Sequence, residues 1–188
     1  MLLTQRGMRW YENTIKGQKV EKKPIKRVPE EGVPRMFYGE YRHTLDDKNR
    51  LSIPSRFRLG LQGDGNDTFY LARGLDQCIL LFTREKWKEL ENQLSTHAFT
   101  DASVRAFKRM FFSGAFPANC DRQGRVNVPQ SLIDHAKVKR DVVVVGVSDW
   151  VEIWDSELWD GYLKGSLTTY EETAQKLTQN FLIKKEHE

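Results

Sequence analysis

Cysteine is scarce in this 188-residue sequence, which has only Cys78 and Cys120, far apart and without paired Cys or His neighbours. This spacing argues against a disulfide framework or a structural zinc site and favours a reducing compartment. Long apolar runs are missing as well: the longest aliphatic run is Val142–Val145, far short of the roughly 18 residues of a membrane span. The first residues contain no apolar segment typical of a secretory signal. We therefore expect a cytoplasmic protein that is not embedded in a membrane.

Residue patterns typical of enzymes are also missing. The sequence has no P-loop and no Rossmann glycine pattern, and its histidines are scattered along the chain: His43, His97, His135 and His187. The carboxylates Asp46, Asp47 and Asp121 are conceivable acid/base or metal-binding groups. No His, Cys or Ser constellation accompanies them. We therefore expect a protein that is not an enzyme and needs neither a metal nor another cofactor.

A strong net charge is missing from most of the chain. The total is +4, but residues 1–35 contain nine basic and four acidic residues, which leaves 21 basic and 22 acidic residues for the rest. The charges are nevertheless segregated along the chain: residues 35–58 carry a net of +3 and residues 141–172 a net of −7. A localised basic face is better evidence for nucleic-acid binding than an overall isoelectric point. The charge distribution therefore indicates residues 35–58 as the candidate nucleic-acid-binding segment.

An internal repeat organises the chain. A shift of 75 residues aligns Phe37 with Phe112, Gly39 with Gly114, Asp46 with Asp121, Arg50 with Arg125 and Pro54 with Pro129. A shift of 72 aligns Gly74 with Gly146, Phe82 with Trp154, Glu85 with Glu157 and Trp87 with Trp159. One supersecondary unit has therefore been duplicated, with a shorter middle loop in the second copy.

Each copy predicts the same series of elements: a strand, a tight turn, a short strand, a short helix, a two-stranded hairpin and a closing helix. In the first copy these are 41–45, 46–50, 51–53, 54–61, 68–71 with 78–82, and 84–94. In the second they are 116–120, 121–125, 126–128, 129–137, 141–147 with 151–154, and 156–167. Residues 101–112 and 170–184 add two further predicted helices.

The predicted fold class is α+β and β-rich. A single copy of about 45 residues makes too small a sheet to bury its own faces, so we expect the two copies to pair their strands into one small barrel. We expect five segments: a basic, flexible extension at 1–35, repeat 1 at 40–87, a helical linker at 88–115, repeat 2 at 116–159 and a C-terminal helical tail at 160–188. In a plain alternative, Met36 is the natural start of the protein.

The repeated chemistry is a D-x-x-x-R turn, present as Asp46–Arg50 and again as Asp121–Arg125. Asn49 and Gly124 occupy equivalent positions in the two turns, and Gly and Asn are the residue types that best tolerate a positive φ. Each Asp can accept backbone N–H groups across its turn. A rigidly presented Arg suits bidentate contact with guanine or phosphate. In a purely structural alternative, the Asp and Arg side chains pair with each other and only stabilise the turn.

These residues carry a family resemblance. The stretch MFYGEYRHTLDDKNRLSIPSRFR, the second DRQGRVNVP and the intervening RGLDQCILLFTREKW resemble MraZ from Met36 to about Asn180. The resemblance implies a bacterial transcriptional regulator made of two tandem swapped-hairpin AbrB/SpoVT units with a pseudo-twofold axis within one chain. It also implies a cytoplasmic, nucleoid-associated homo-oligomeric ring, an octamer or a dodecamer. Its implied partner is double-stranded DNA, at short direct repeats in the promoter of its own division and cell-wall gene cluster.

Carried over by position, the resemblance implies that Arg50 and Lys48 contact DNA and that Arg125 holds the equivalent place in the second copy. Two further basic residues complete the predicted DNA-binding set: Arg42 and Arg122. The predicted turn-structuring residues are Asp46, Asn49, Asp121 and Gly124. This sequence departs from the family at Asn49, where Gly is usual, and at Tyr38, where a basic residue is common.

A second interpretation keeps the fold and changes the role. An AbrB-like antitoxin, or an assembly protein without operator-specific binding, could use the same unit. An antitoxin would usually carry one repeat and a disordered toxin-binding tail, so two fused repeats disfavour it.

Overall fold

The structure, a computed structural model, describes residues 36–61 and 68–185, with side chains described as far as residue 179. The strands are β1 (Phe37–Thr44), β2 (Arg50–Ser52), β3 (Phe69–Arg73), β4 (Cys78–Phe82), β5 (Phe116–Ala118), β6 (Arg125–Asn127), β7 (Asp141–Ser148) and β8 (Trp150–Asp155). The helices are α1 (Ser55–Leu61), α2 (Arg84–Ser95), α3 (Ala102–Phe112), α4 (Gln130–His135), α5 (Ser156–Leu167) and α6 (Tyr170–Lys185). The expected N-terminal extension lies outside the described residues.

The predicted elements are all present, and their ends differ by a few residues. The largest difference concerns β1, which begins at Phe37 rather than at 41, while β5 ends at Ala118 rather than at 120. β1 is long because all eight of its residues pair with β7. Its counterpart β5 is short because α3 occupies the preceding residues up to Phe112, and because Pro117 cannot donate a ladder hydrogen bond.

The strands form a six-stranded antiparallel sheet in the order β1-β7-β8-β4-β3-β5 and a two-stranded antiparallel ladder of β2 and β6. Each repeat therefore gives its first strand to the other repeat: β1 pairs with β7, and β5 pairs with β3. The ladder also joins one strand from each repeat. This is the swapped-hairpin arrangement that the resemblance implies, and it confirms a β-rich α+β fold of two tandem units.

The pairing register shows the pseudo-twofold axis. In the ladder Leu51 lies opposite Val126, and these two residues correspond under the 75-residue shift. Between β4 and β8, Leu80 lies opposite Glu152, which corresponds to it under the 72-residue shift. Equivalent residues can face each other in this way only where the axis passes between them.

One hydrophobic core serves both repeats. Leu51 and Val126 from the ladder are buried in the same cluster as Leu81 and Ile153 from the large sheet. The ladder therefore packs on the same core as the six-stranded sheet. A bridge between Leu45 and Leu51 connects the end of β1 to the ladder.

A second, aromatic cluster packs against the other face of β3 and β4. Trp87 on α2 is 3% exposed and stacks on Tyr70 at 4.8 Å between ring centroids and on Phe111 of α3 at 5.5 Å. Helices α2 and α3 therefore cover the repeat 1 side of the sheet. Within residues 36–61 and 68–185, no helix is long and apolar enough to cross a membrane.

Candidate nucleic-acid interface

The first turn is built around the Asp46 carboxylate. One oxygen, Oδ1, accepts the backbone N–H groups of Lys48 and Arg50, both at 2.9 Å. The other oxygen, Oδ2, accepts Nε of Arg50 at 2.7 Å and contacts its Nη2 at the same distance. Asn49 adopts φ 57° in this turn, as predicted. The carboxylate thus fixes both the backbone and one edge of the guanidinium.

The second turn repeats this geometry. Oδ1 of Asp121 accepts the backbone N–H groups of Gln123 and Arg125 at 2.9 Å, and Oδ2 accepts Nε and Nη2 of Arg125 at 3.0 and 2.8 Å. Gly124, which occupies the position equivalent to Asn49, also has a positive φ, 77°. Duplication has therefore preserved the complete hydrogen-bond pattern and not only the residue types.

The ladder brings the two turns together. The carbonyl of Asn49 accepts the N–H of Val128 at 2.9 Å, and the carbonyl of Gly124 accepts the N–H of Ile53 at 3.0 Å. Nη1 of Arg125 lies 3.8 Å from Oδ2 of Asp46, so the two arginines share one carboxylate. We call residues 46–50 and 121–125 the paired turns.

The paired turns lower the pKa of both aspartates. The side-chain hydrogen bond from Arg50, followed by its backbone N–H, lowers the pKa of Asp46 from 3.8 to about 2. The backbone and then the side chain of Arg125 lower the pKa of Asp121. The Asp46 hydrogen bond in turn raises the pKa of Arg50. The pKa shifts of Asp46, Asp121 and Arg50 therefore all favour the charged forms of these groups.

The Asp–Arg pairing expected in the purely structural alternative is therefore present. It nevertheless leaves some N–H donors of the Arg50 guanidinium unused by Asp46. A guanidinium has five N–H donors in a planar fork, and Asp46 engages Arg50 through Nε and Nη2. About a third of the Arg50 side chain is exposed, against 24% for Arg125. Beside them, Lys48 and Arg122 are exposed. Four of the five predicted DNA-binding residues therefore lie on the paired turns.

The fifth, Arg42, lies elsewhere. It projects from β1 toward α5, where its Nη2 contacts Asp160 at 2.6 Å and its Nη1 donates to Ser156 at 2.9 Å. Glu40 is a further acidic partner at 3.2 Å. Sequence proximity to the first turn did not reveal the contacts with Asp160 and Ser156, because these join residues more than 110 positions apart.

Two residues that the sequence analysis did not single out as site residues contact the paired turns. The guanidinium of Arg58 on α1 lies directly against Gly124, and Gln130 at the start of α4 accepts a hydrogen bond from the side chain of Asn49 at 2.9 Å. Each helix thus contacts the turn of the opposite repeat. The basic charge of residues 35–58 already included Arg58, but only the swapped topology places it at the second turn.

Among the described residues, neither the Cys78 thiol nor a cluster of metal-ligating side chains forms a second site. Burial, with a smaller effect of Glu152 and Asp76, raises the pKa of the Cys78 thiol to about 12, so this buried cysteine is an inert packing residue. Across the described ranges, no group of three or more His, Cys, Asp or Glu side chains is arranged to hold a metal ion.

Fold and site together define a class: a two-repeat swapped-hairpin protein that presents a pair of carboxylate-braced arginine turns. Comparison with known families agrees, since the profile described as "MraZ protein, putative antitoxin-like" matches residues 36–110 and again 111–181. The chain therefore belongs to the MraZ family.

The curated relatives cover nearly the same region. A protein of Carboxydothermus hydrogenoformans is 44% identical over 148 residues, 79% of this chain and 100% of the relative. One from Acetivibrio thermocellus is 44% identical over 142 residues, 76% of this chain and 96% of the relative. One from Natranaerobius thermophilus is 42% identical over 142 residues, with the same coverage. Each is named a transcriptional regulator MraZ, and none of these names describes an enzyme.

Proposed function

We propose that this chain is a cytoplasmic, nucleoid-associated transcriptional regulator that binds short direct repeats in the promoter of its own division and cell-wall gene cluster. The paired turns are the DNA-contacting surface. The observation that carries the proposal is the duplicated, carboxylate-braced arginine, held beside its copy by the ladder and flanked by the exposed Lys48 and Arg122.

The bracing supports a reading role for the arginines. Asp46 grips Arg50 along the Nε–Nη2 edge, which fixes the guanidinium plane before DNA arrives and reduces the rotamer entropy lost on binding. The remaining donors can address guanine O6 and N7 or a phosphate. Lys48 and Arg122 would supply phosphate contacts, which position the protein and make its affinity depend on salt. Arg42 would first have to leave Asp160.

We further propose that the chain assembles into a homo-oligomeric ring, an octamer or a dodecamer. The two repeats differ in how their equivalent tryptophans are covered. Trp87 is buried under α3, whereas the partly buried Trp159 on α5 stacks on the half-exposed Tyr162 and forms a tilted pair with Trp154. The indole N–H of Trp159 is also buried without a hydrogen-bond partner. A neighbouring copy could cover this aromatic surface of repeat 2, in the same way that α3 covers Trp87 in repeat 1.

Assembly would compensate for a small contact per subunit. One arginine turn reads only one or two bases, and a good bidentate pair gives about 1–3 kcal/mol of discrimination. A ring that presents equivalent turns to successive repeats would gain affinity through effective concentration rather than through a larger interface.

The test is footprinting and gel-shift titration on the DNA upstream of the protein's own gene. We expect evenly spaced protected repeats with the wild type. Arg50→Ala should abolish repeat-specific binding while leaving assembly intact. Arg50→Lys keeps the charge but loses the planar fork, so it should retain salt-dependent, non-specific binding and lose the preference for the repeats.

Arg84→Ala, which removes an exposed arginine at the start of α2, is the matched control and should bind like the wild type. Unchanged affinity and unchanged repeat preference in Arg50→Ala would reduce the paired turns to structural staples and reject the proposal.

A further inference from the structure

The two paired turns differ at three positions, and at one of these a side chain in the first turn corresponds to a glycine in the second. The first turn carries a side chain, Asn49, where the second has Gly124, although both residues adopt a left-handed backbone at φ 57° and 77°. Asparagine tolerates this conformation better than other side chains do, but glycine would fit it without strain. The carboxamide at position 49 is therefore not needed for the turn to form.

Asn49 is held in a defined orientation by the other repeat. Its Nδ2 donates to Oε1 of Gln130 at 2.9 Å, and Nε2 of Gln130 donates to Oδ1 of Asp134 at 2.8 Å. This chain of hydrogen bonds fixes the plane of the Asn49 amide. It uses one of the two N–H groups of Asn49, so Oδ1 and the second N–H are not consumed by it.

The second turn has a cation in the corresponding space. Gly124 is buried beneath the Arg58 guanidinium, and a Cβ atom at residue 124 would run into that group. Under the repeat shift, Arg58 corresponds to Ile133 and Gln130 to Ser55. Neither arrangement therefore has a copy in the other repeat, and the pseudo-twofold symmetry is broken at this contact surface.

We infer that Asn49 is a specificity-determining residue that contacts an adenine edge in the major groove, with Gln130 as its positioning residue. This inference rests on the proposed function. A carboxamide offers one acceptor and one donor side by side, which complements the N6 amino group and N7 of adenine. At the equivalent place in the second turn, beside Gly124, the Arg58 guanidinium offers only donors, which suit guanine or phosphate. The two turns of one subunit would therefore read different bases.

The experiment is selection of bound duplexes from a pool randomised over the protected repeat, with the full-length wild type and with three variants. Asn49→Gly should lower the preference for adenine at one position by about 5- to 150-fold, the range expected for one bidentate contact. Preferences at the other positions and the salt dependence should stay unchanged. Gln130→Ala should weaken the preference at the same position only.

Asn49→Asp gives the sharpest result. Aspartate keeps the size of the side chain and tolerates the same backbone, but it can only accept hydrogen bonds, so the preferred base should change from adenine towards cytosine, whose N4 amino group is a donor. A role confined to bracing the turn would alter thermal stability without changing the base that is preferred. Gln93→Ala, which removes an exposed carboxamide on α2, serves as the control.

The outcomes separate this inference from the function on which it rests. If the wild type enriches repeats and Asn49→Gly enriches the same bases with the same ratios, the reading role of Asn49 is rejected and the proposed function stands. If the wild type enriches no sequence at all, both fail.

Discussion

At the scale of single residues, the Asp46 carboxylate holds the first turn in place. It accepts two backbone N–H groups and grips the Arg50 guanidinium. These bonds favour the charged form of the carboxyl and lower its pKa from 3.8 to about 2. A carboxyl with a lowered pKa in the folded state stabilises that state above the unfolded value and loses this effect as the pH falls through the folded value.

We therefore predict that the free energy of unfolding falls as the pH is lowered from about 4 to about 2, and that Asp46→Asn removes part of this dependence. Above pH 5 the variant should be less stable than the wild type by an amount that does not change with pH. Urea unfolding at a series of pH values measures both effects. Asp47→Asn, at an exposed neighbour, is the control, and an equal loss in that variant would contradict the role given to Asp46.

Gly124 provides a second prediction at this scale. Gly124→Ala places a Cβ on a residue with φ 77° and against the Arg58 guanidinium, so the free energy of unfolding should fall by about 1–3 kcal/mol. Asn49→Gly has no such conflict and should change it by far less. Chemical denaturation of the two variants makes the comparison, and an equal loss of stability in both would show that the repeats are equivalent here.

At the scale of elements, α2 and α5 occupy equivalent places but pack differently. Trp87 of α2 is buried among Tyr70, Phe82 and aromatic residues of α3, whereas α5 buries none of its residues fully. The duplicated sequence thus gives two helices of the same length and register. Only the first of them has α3 as a cover.

We predict opposite consequences for the two tryptophans. Trp87→Ala should lower the free energy of unfolding by about 3–5 kcal/mol, because it leaves a large cavity between stacked rings. Trp159→Ala should cost much less stability and instead reduce the mass of the assembly, measured by analytical ultracentrifugation or light scattering. A Trp159→Ala protein with the mass of the wild type would remove the aromatic surface of α5 from the proposed ring contact.

At the scale of the whole molecule, the exchange of first strands makes the repeats interdependent. All eight residues of β1 pair with β7, which lies about 100 positions further along the chain. The shared core likewise contains Leu51 of repeat 1 and Val126 of repeat 2. A single repeat therefore exposes unpaired strands and half of a core.

This interdependence predicts that a fragment of residues 36–95 cannot fold as a monomer. It should fold only as a dimer, in which a second copy supplies the missing strand, or when residues 96–188 are added. Circular dichroism at several protein concentrations would show this, since the unfolding midpoint of a dimer rises with concentration. A cooperative transition that is independent of concentration would mean that the strand exchange is not required.

The sequence was most informative where chemistry is local. Positive φ at Asn49 and Gly124 and the acceptance of backbone N–H groups by Asp46 and Asp121 were predicted and are confirmed, because a five-residue turn depends on its own residues. The helix at 156–167 was likewise predicted at its observed bounds. The contacts of Arg42 with Asp160 and of Asn49 with Gln130 could not be predicted, because each joins segments that meet only after strand exchange.

By itself, then, the sequence determined the duplication, the order of elements, the geometry of each turn and the family, since these follow from residue types at fixed spacing. The two isolated cysteines argued against a disulfide framework or a zinc site, and the modest overall charge did not by itself indicate a DNA-binding protein. Tertiary structure alone decided that the two turns lie side by side, and that Arg58 and Gln130 each contact the turn of the opposite repeat. The physical reason is that pairing between distant strands fixes which surfaces meet, and no local propensity encodes that partnership.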